Sequence, residues 1–192
     1  LLERWAQLRE RVHAAQQQRR GEAPVLAVYY GFPRWLEAMH GGEPWYKGWR
    51  AHMEALLRQP GVEYHGMVNH TTIAAAYADS GFYLFPSDKP ETSGVNLMKA
   101  QAMGATPVTS RHPNSSMPEV CGAYDLGPPV PRGAVAIQSD RRWFGQWVDA
   151  LVLAASTPPE EWRGRRDAMV EWSRRVFDWR TVVATWHDEF ER

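Results

Sequence analysis

The sequence contains a single cysteine, Cys121, and no excess of charge of either sign. One cysteine excludes an internal disulfide framework and a zinc site built from cysteines. The 22 basic and 22 acidic residues cancel, so the chain lacks the basic surface typical of nucleic-acid-binding proteins. No apolar run approaches the ~18 residues that a membrane-spanning helix needs, and no signal-peptide pattern is visible. We therefore expect a soluble, cytoplasmic protein that binds no nucleic acid.

The common catalytic sequence motifs are also missing. The chain has no Gly-x-Ser-x-Gly elbow, no Gly-x4-Gly-Lys-Ser/Thr phosphate loop, no Gly-x-Gly-x-x-Gly and no His-Glu-x-x-His. The seven histidines are scattered, and His65 and His70 have only Glu63 close to them in sequence. Such a sparse set of ligands does not favour a metal site.

The rest of the composition is that of an ordinary globular protein. With 44% hydrophobic and 23% charged residues in 192, the chain is predicted to form one domain over 1–192, with its own core. Tryptophan is the outlier, at 10 residues. A carbohydrate-stacking surface is one explanation, but helical spacing favours the core for Trp5, Trp49, Trp147, Trp179 and Trp186.

Short apolar runs alternate with helical patterns through most of the chain, which predicts an α/β fold. Strands are predicted at 24–30, 62–68, 81–85 and 106–109, with weaker ones at 123–126 and 134–137. Residues 32–44, which contain several Pro and Gly, are predicted to form a loop. Because the strands alternate with helices, the connections cross over and the sheet is predicted to be mainly parallel.

Helical periodicity accounts for the remaining segments. An opening helix carries Leu1, Trp5, Leu8 and Val12 on one face and is predicted to stop at Gly21. Further helices are predicted through 49–56, from a cap at Asn69 through Tyr77, and over 94–104. From Asp140 onward three apolar stripes predict three consecutive helices.

The segment from Phe85 to Gly104 is the most informative for function. A strand ends at Pro86, a polar loop follows, and a helix begins near Gly94, which places the loop where open parallel sheets bind ligands. The backbone amides of residues 92–95 are expected around the helix N-terminus, which favours an anion, and Gly94 leaves room for a phosphate. Glu91 suits sugar hydroxyls. The alternative is an ordinary capped helix with a solvent-facing glutamate.

Several short motifs follow one another along the chain: Tyr64-His-Gly-Met-Val68, Phe85-Pro-Ser87, Glu91-Thr-Ser-Gly94, Ala100-Gln-Ala-Met-Gly104, Thr106-Pro-Val-Thr109, Pro118-Glu-Val120 and Phe177-Asp-Trp179. In this order they resemble the C-terminal, donor-binding half of family 4 glycosyltransferases of the GT-B fold. The resemblance implies a Rossmann-like, mainly parallel sheet flanked by helices, with a helical C-terminal segment. It also implies that the protein binds a nucleotide-diphosphate sugar and takes part in carbohydrate biosynthesis. No metal or other cofactor is implied.

The resemblance implies a role for each matching position. Glu91 matches the first Glu of the family's Glu-x7-Glu motif, which contacts the donor sugar, and is the implied catalytic residue. Residues 93–95 match the loop around the sugar and diphosphate. Val68 matches a backbone position near the base. The second Glu, which pairs with the ribose, is replaced by Lys99, a cation with three donors. The implied donor-binding residues are Val68, Pro86, Ser87, Glu91, Thr92, Ser93, Gly94, Val95 and Lys99.

The resemblance also implies parts that this sequence does not contain. The family's basic pair, which neutralises the diphosphate, lies on an earlier strand and loop, although Arg34, Lys47 or Lys89 are possible substitutes. We expect the chain to be the donor-binding half of a retaining glycosyltransferase, inactive without its N-terminal acceptor domain. The last helix, about 180–192, is expected to pack toward that domain. Two alternatives stay open: a catalytically inactive nucleotide-sugar-binding module, and a domain that serves protein contacts through its Trp-rich helices.

Overall fold

A computed structural model describes residues 1–17, 22–134, 137 and 139–191. These residues form an α/β protein whose contacts divide it into two compact units, Leu1–Ile73 and Ala74–Arg192. The predicted α/β class is confirmed, whereas the Rossmann-like topology and the assignment of 1–192 to one domain stay predictions. Within the described ranges, no helix has both the length and the apolar character needed to cross a membrane.

The first unit combines a pair of short strands with helices. Its elements are a 3-10 turn at Leu2–Arg4, α1 (Trp5–Gln17), β1 (Leu26–Val28), α2 (Arg34–His40), α3 (Pro44–Leu57) and β2 (Val62–Tyr64). β1 and β2 pair in parallel, with Leu26 opposite Val62. Trp5, Leu8 and Val12 are buried on one face of α1, as their spacing predicted.

The prediction of a loop over 32–44 is wrong in part, because α2 lies within this range. Pro33 precedes α2 in an extended conformation, and Gly41 follows its last residue. Pro44 then opens α3 at its first position, where the missing N–H of proline has no cost. These Pro and Gly residues therefore mark helix boundaries rather than a continuous loop. The predicted stop at Gly21 lies outside the described residues.

The second unit contains the other strand pair and the longer helices. After α4 (His70–Asp79), which spans the boundary, come β3 (Phe82–Phe85), α5 (Val95–Met103), β4 (Thr106–Thr109), α6 (Met117–Cys121), α7 (Arg141–Ser156), α8 (Pro159–Phe177) and α9 (Trp179–Phe190). β3 and β4 pair in parallel with Phe82 opposite Thr106. The predicted parallel pairing is confirmed, but within the described residues it forms two separate two-stranded sheets.

Two helix caps confirm the predicted helix starts. The Asn69 side chain accepts a hydrogen bond from the Thr72 amide at 2.9 Å, at the start of α4. The Asp140 carboxylate accepts from the amides of Arg142 and Trp143, at the start of α7. Such caps satisfy amides that have no partner within the helix.

The two weaker strand predictions are not confirmed. Residues 123–126 form a turn followed by irregular chain, in which the Asp125 side chain accepts from the Thr109 and Gly127 amides in place of a backbone carbonyl. In 134–137, Ala134 and Ile137 are not in a strand, and residues 135 and 136 lie outside the described part.

The predicted burial of tryptophan is confirmed at some positions and wrong at others. Trp5 and Trp147 are buried, and the Trp147 indole donates to the Val108 carbonyl at 3.2 Å. Trp49 is half-buried. Trp179 and Trp186, on α9, are 70% and 55% exposed. The helical pattern of α9 predicted correctly that these side chains share a face, but periodicity does not determine whether that face is covered.

Candidate functional site

A cavity of about 200 Å³ lies in the second unit, between β3 and the N-terminus of α5. Glu91, Ser93, Gly94 and Val95, which the sequence singled out, all line it. The lining that sequence reasoning missed consists of Tyr83, Phe85, Asn96, Leu97 and Met117. Tyr83 and Phe85 alternate on β3 and so share one face of the strand, which is the signal that could have identified them.

Glu91 turns its carboxylate back onto the loop that follows it. Its Oε1 accepts hydrogen bonds from the amides of Thr92, at 2.9 Å, and Ser93, at 3.3 Å. The Ser93 amide foremost, and then that of Thr92, lower the pKa of Glu91 because they stabilise its charged form. Two of the amides that the sequence predicted to face an anion are therefore already bound to a carboxylate of the protein.

Gly94 has a backbone conformation that favours glycine, and it lies close to the Met117 side chain. Its φ of 62° lies in the left-handed region, and its carbonyl accepts from Leu97 and Met98 to begin α5. A Cβ at this position would lie 2.6 Å from the Met117 methyl carbon. The glycine therefore allows α5 to approach α6 closely, and its role in making room for a phosphate stays a prediction.

The start of the loop is tied to the segment that follows β4. Ser110 Oγ accepts from the Ser87 amide at 2.9 Å and donates to the Ser87 carbonyl at 2.7 Å. His112 Nε2 lies 3.0 Å from the same carbonyl and is its donor, since a carbonyl only accepts. Ser87 thus anchors the loop, and both Pro86 and Ser87 lie outside the cavity lining. Sequence periodicity gave no signal for Ser110 or His112, because loop contacts have no period.

A buried carboxylate fixes the end of β4. Asp125 Oδ1 accepts from the amides of Thr109, at 3.0 Å, and Gly127, at 2.8 Å, and Oδ2 accepts from the Thr109 hydroxyl. Burial raises the pKa of Asp125, and the donated hydrogen bonds oppose this shift. Burial also raises the pKa of the Cys121 thiol, which makes this cysteine unreactive.

Val68 lies in a different unit from the cavity, so its predicted place near the base stays a prediction, and Lys99 is on α5. Val68 belongs to the first unit and is 37% exposed there. Lys99 is exposed on α5 and is not part of the cavity lining. Packing of α5 against α8, α6 and β4 buries Leu97, Ala100 and Gln101. A contact between Lys99 and a bound nucleotide stays a prediction.

The chain gives no match to protein-family models, and none to curated proteins. The fold and the cavity therefore define the protein only as an α/β protein with a polar loop at a helix N-terminus. Among the described residues, no three His, Cys, Asp or Glu side chains are grouped so that they could hold a metal ion. The expectation of metal-free chemistry stays a prediction.

Proposed function

We propose that the chain is the donor-binding half of a retaining glycosyltransferase, which binds a nucleotide-diphosphate sugar for transfer of the sugar to an acceptor. One observation carries this proposal. Glu91 and residues 93–95, the positions that resemble the family's sugar and diphosphate loop, line the same cavity at the start of α5. Ligand binding beyond a strand end and at a helix N-terminus is typical of α/β proteins.

The proposed chemistry is positioning and electrostatic stabilisation. Backbone amides at the N-terminus of α5 carry partial positive charge, which would stabilise the leaving diphosphate. Glu91, which is ionised at neutral pH, would accept hydrogen bonds from the donor sugar.

The internal bonds of Glu91 give the proposal a testable feature. A ligand phosphate that uses the Thr92 and Ser93 amides must displace the Glu91 carboxylate, which leaves that carboxylate without its donors. A hydroxyl of the donor sugar can replace those donors, whereas a nucleoside diphosphate has no donor sugar to place there. We therefore expect the nucleotide-diphosphate sugar to bind more tightly than the diphosphate alone.

Calorimetric titration of the 192-residue chain tests the proposal. The ligands are uridine, guanosine and adenosine diphosphates and their glucose conjugates. We expect one base to be preferred and its glucose conjugate to bind more tightly. Glu91→Gln should reduce this advantage by about tenfold or more, since a hydrogen bond to a charged group contributes ~1.5–3 kcal/mol. Glu119→Gln, at an exposed position on α6 outside the lining, is the control.

A catalytically inactive nucleotide-sugar-binding module is the second candidate, favoured by Lys99 at the position of the family's second Glu. It predicts the same binding but no sugar transfer when the chain is part of a protein that includes an acceptor domain. A domain that serves protein contacts alone predicts no saturable binding of any of the six ligands. That last result would contradict the proposed function.

A further inference from the structure

One hydroxyl group holds the backbone of Glu91 on both sides. Ser115 Oγ accepts hydrogen bonds from the Glu91 amide, at 3.1 Å, and the Met117 amide, at 3.2 Å, and donates to the Glu91 carbonyl at 3.1 Å. A hydroxyl has one hydrogen and two lone pairs, so these three bonds use its full capacity. Ser115 therefore joins the loop before α5 to the start of α6.

The Ser110 hydroxyl binds the other end of the same loop in the same way. It accepts from the amide of Ser87 and donates to its carbonyl, and Ser110 is only 1% exposed. Ser87 and Glu91 lie four positions apart, so both ends of the segment between them are held by paired hydrogen bonds. The Glu91 side chain leaves the backbone at the second of these fixed points.

Ser116, beside Ser115, provides a contrast. The Glu91 carbonyl already accepts from the Ser116 amide at 2.9 Å, and the Ser116 hydroxyl adds a further donor at 3.2 Å. Removing the Ser116 hydroxyl therefore deprives no backbone amide of its acceptor. Removing the Ser115 hydroxyl deprives two amides, those of Glu91 and Met117.

We propose that Ser115 is a positioning residue for Glu91. By holding the amide and the carbonyl of Glu91, it sets the direction from which the carboxylate reaches the amides of Thr92 and Ser93 at the edge of the cavity. Its functional meaning rests on the proposed function, in which this carboxylate receives the donor sugar. The competing explanation is that Ser115 only stabilises the first turn of α6 through the Met117 amide.

Nuclear magnetic resonance of the 192-residue chain without ligand separates these explanations. In Ser115→Ala we expect the pKa of Glu91 to rise toward its ordinary value, and the Thr92 and Ser93 amides to exchange about fivefold faster or more. Tyr83, whose pKa is raised by burial and by the charge of Glu91, stays neutral through this titration. The thermal midpoint, recorded on the same samples, measures the purely structural effect.

Matched variants complete the experiment. Ser116→Ala should leave both the Glu91 titration and the exchange of the two amides close to those of the parent. Ser115→Thr retains the hydroxyl and should restore both. If Ser115→Ala does not fold, Ser115→Cys, which donates and accepts only weakly, gives the same readouts.

A lower thermal midpoint with unchanged Glu91 titration and amide exchange would overturn the positioning role and leave Ser115 as a stabiliser of α6. That result has the same meaning whether or not the parent chain binds a nucleotide. A shifted Glu91 titration in Ser115→Ala, combined with a parent chain that binds no nucleotide diphosphate, would support the positioning role and refute the proposed function. The failures of the two proposals are therefore distinguishable.

Discussion

Replacing Asp125 by alanine is expected to destabilise the protein by about 2–6 kcal/mol. The change removes the acceptor of two buried amides, those of Thr109 and Gly127. Each buried donor left without a partner costs about 1–3 kcal/mol, which gives this range. Asp125→Asn should cost less than half as much. Its carbonyl oxygen can accept from both amides, and its NH₂ group can donate to the Thr109 hydroxyl in place of the bond that the carboxylate accepts.

Urea unfolding at neutral pH, followed by circular dichroism, measures these differences. Asp188→Ala, an exposed position on α9, is the control and should change the free energy of unfolding by less than about 0.5 kcal/mol. If the free energy of unfolding falls by less than about 1 kcal/mol in Asp125→Ala, the claim that Asp125 is an essential acceptor for the buried amides at the end of β4 is refuted. Equal losses in Asp125→Ala and Asp125→Asn would show that the charge, rather than the acceptor atoms, matters.

The raised pKa of Asp125 also predicts the pH dependence of this effect. Burial, its largest cause, places the folded-state pKa above the unfolded value of about 4. The part of the stability that is linked to protonation of Asp125 is therefore fully present below the unfolded pKa, and it is lost as the pH rises through the folded value. We expect the stability of the parent chain relative to Asp125→Asn to increase as the pH is lowered from neutral toward 4. A relative stability that falls over this interval would contradict the sign.

Three further substitutions test the packing and the predicted site. Gly94→Ala should destabilise the fold by about 1–3 kcal/mol in urea unfolding, because of the left-handed backbone and the close Met117 methyl, and a double-mutant cycle with Met117→Ala should show coupling. Trp147→Phe should cost about 1–3 kcal/mol in the same assay, through the lost bond to the Val108 carbonyl and a small cavity. Lys99→Glu should change the affinity for nucleoside diphosphates in calorimetry, since the resemblance implies that Lys99 lies at the ribose, and an unchanged affinity for every diphosphate would refute that contact.

Much of the local structure could be predicted from the sequence, because its causes are local. The strands at 82–85 and 106–109 coincide with the short runs predicted to form them, and each run is ended by a proline or a polar residue. Asn69 and Asp140 cap helices because a side chain two or three residues before an unpaired amide can reach it. Helix α5 begins and ends within a residue of its predicted bounds, since glycine lies at both ends.

The errors arise where distant residues decide the outcome. The buried face of α5 is selected by α8, α6 and β4, which no pattern inside the helix reveals. Trp179 and Trp186 have the spacing of a core face, yet they are exposed. The strand predicted at 123–126 is replaced by side-chain bonds of Asp125, which compete with a strand ladder.

Of the candidate site, only the loop before α5 could be predicted from the sequence. Glu91 and residues 93–95 were identified from the loop pattern and the resemblance, and they line the cavity. The amides of Thr92 and Ser93 were predicted to bind a ligand anion. In the structure both donate to the carboxylate of Glu91, which is one or two residues away in sequence. The serine hydroxyls that hold the loop come from a segment some twenty residues later, and such contacts depend on the tertiary fold.

The central claim is that a nucleotide-diphosphate sugar binds at the loop before α5, and amide chemical shifts report on that loop directly. The measurement is a titration of the ¹⁵N-labelled 192-residue chain with the preferred nucleotide-diphosphate sugar. We predict that the amides of Thr92, Ser93, Gly94, Val95 and Asn96 shift together with one dissociation constant, with the largest changes at Thr92 and Ser93 as the Glu91 carboxylate is displaced. Unperturbed resonances at these five amides at saturating ligand would contradict the account.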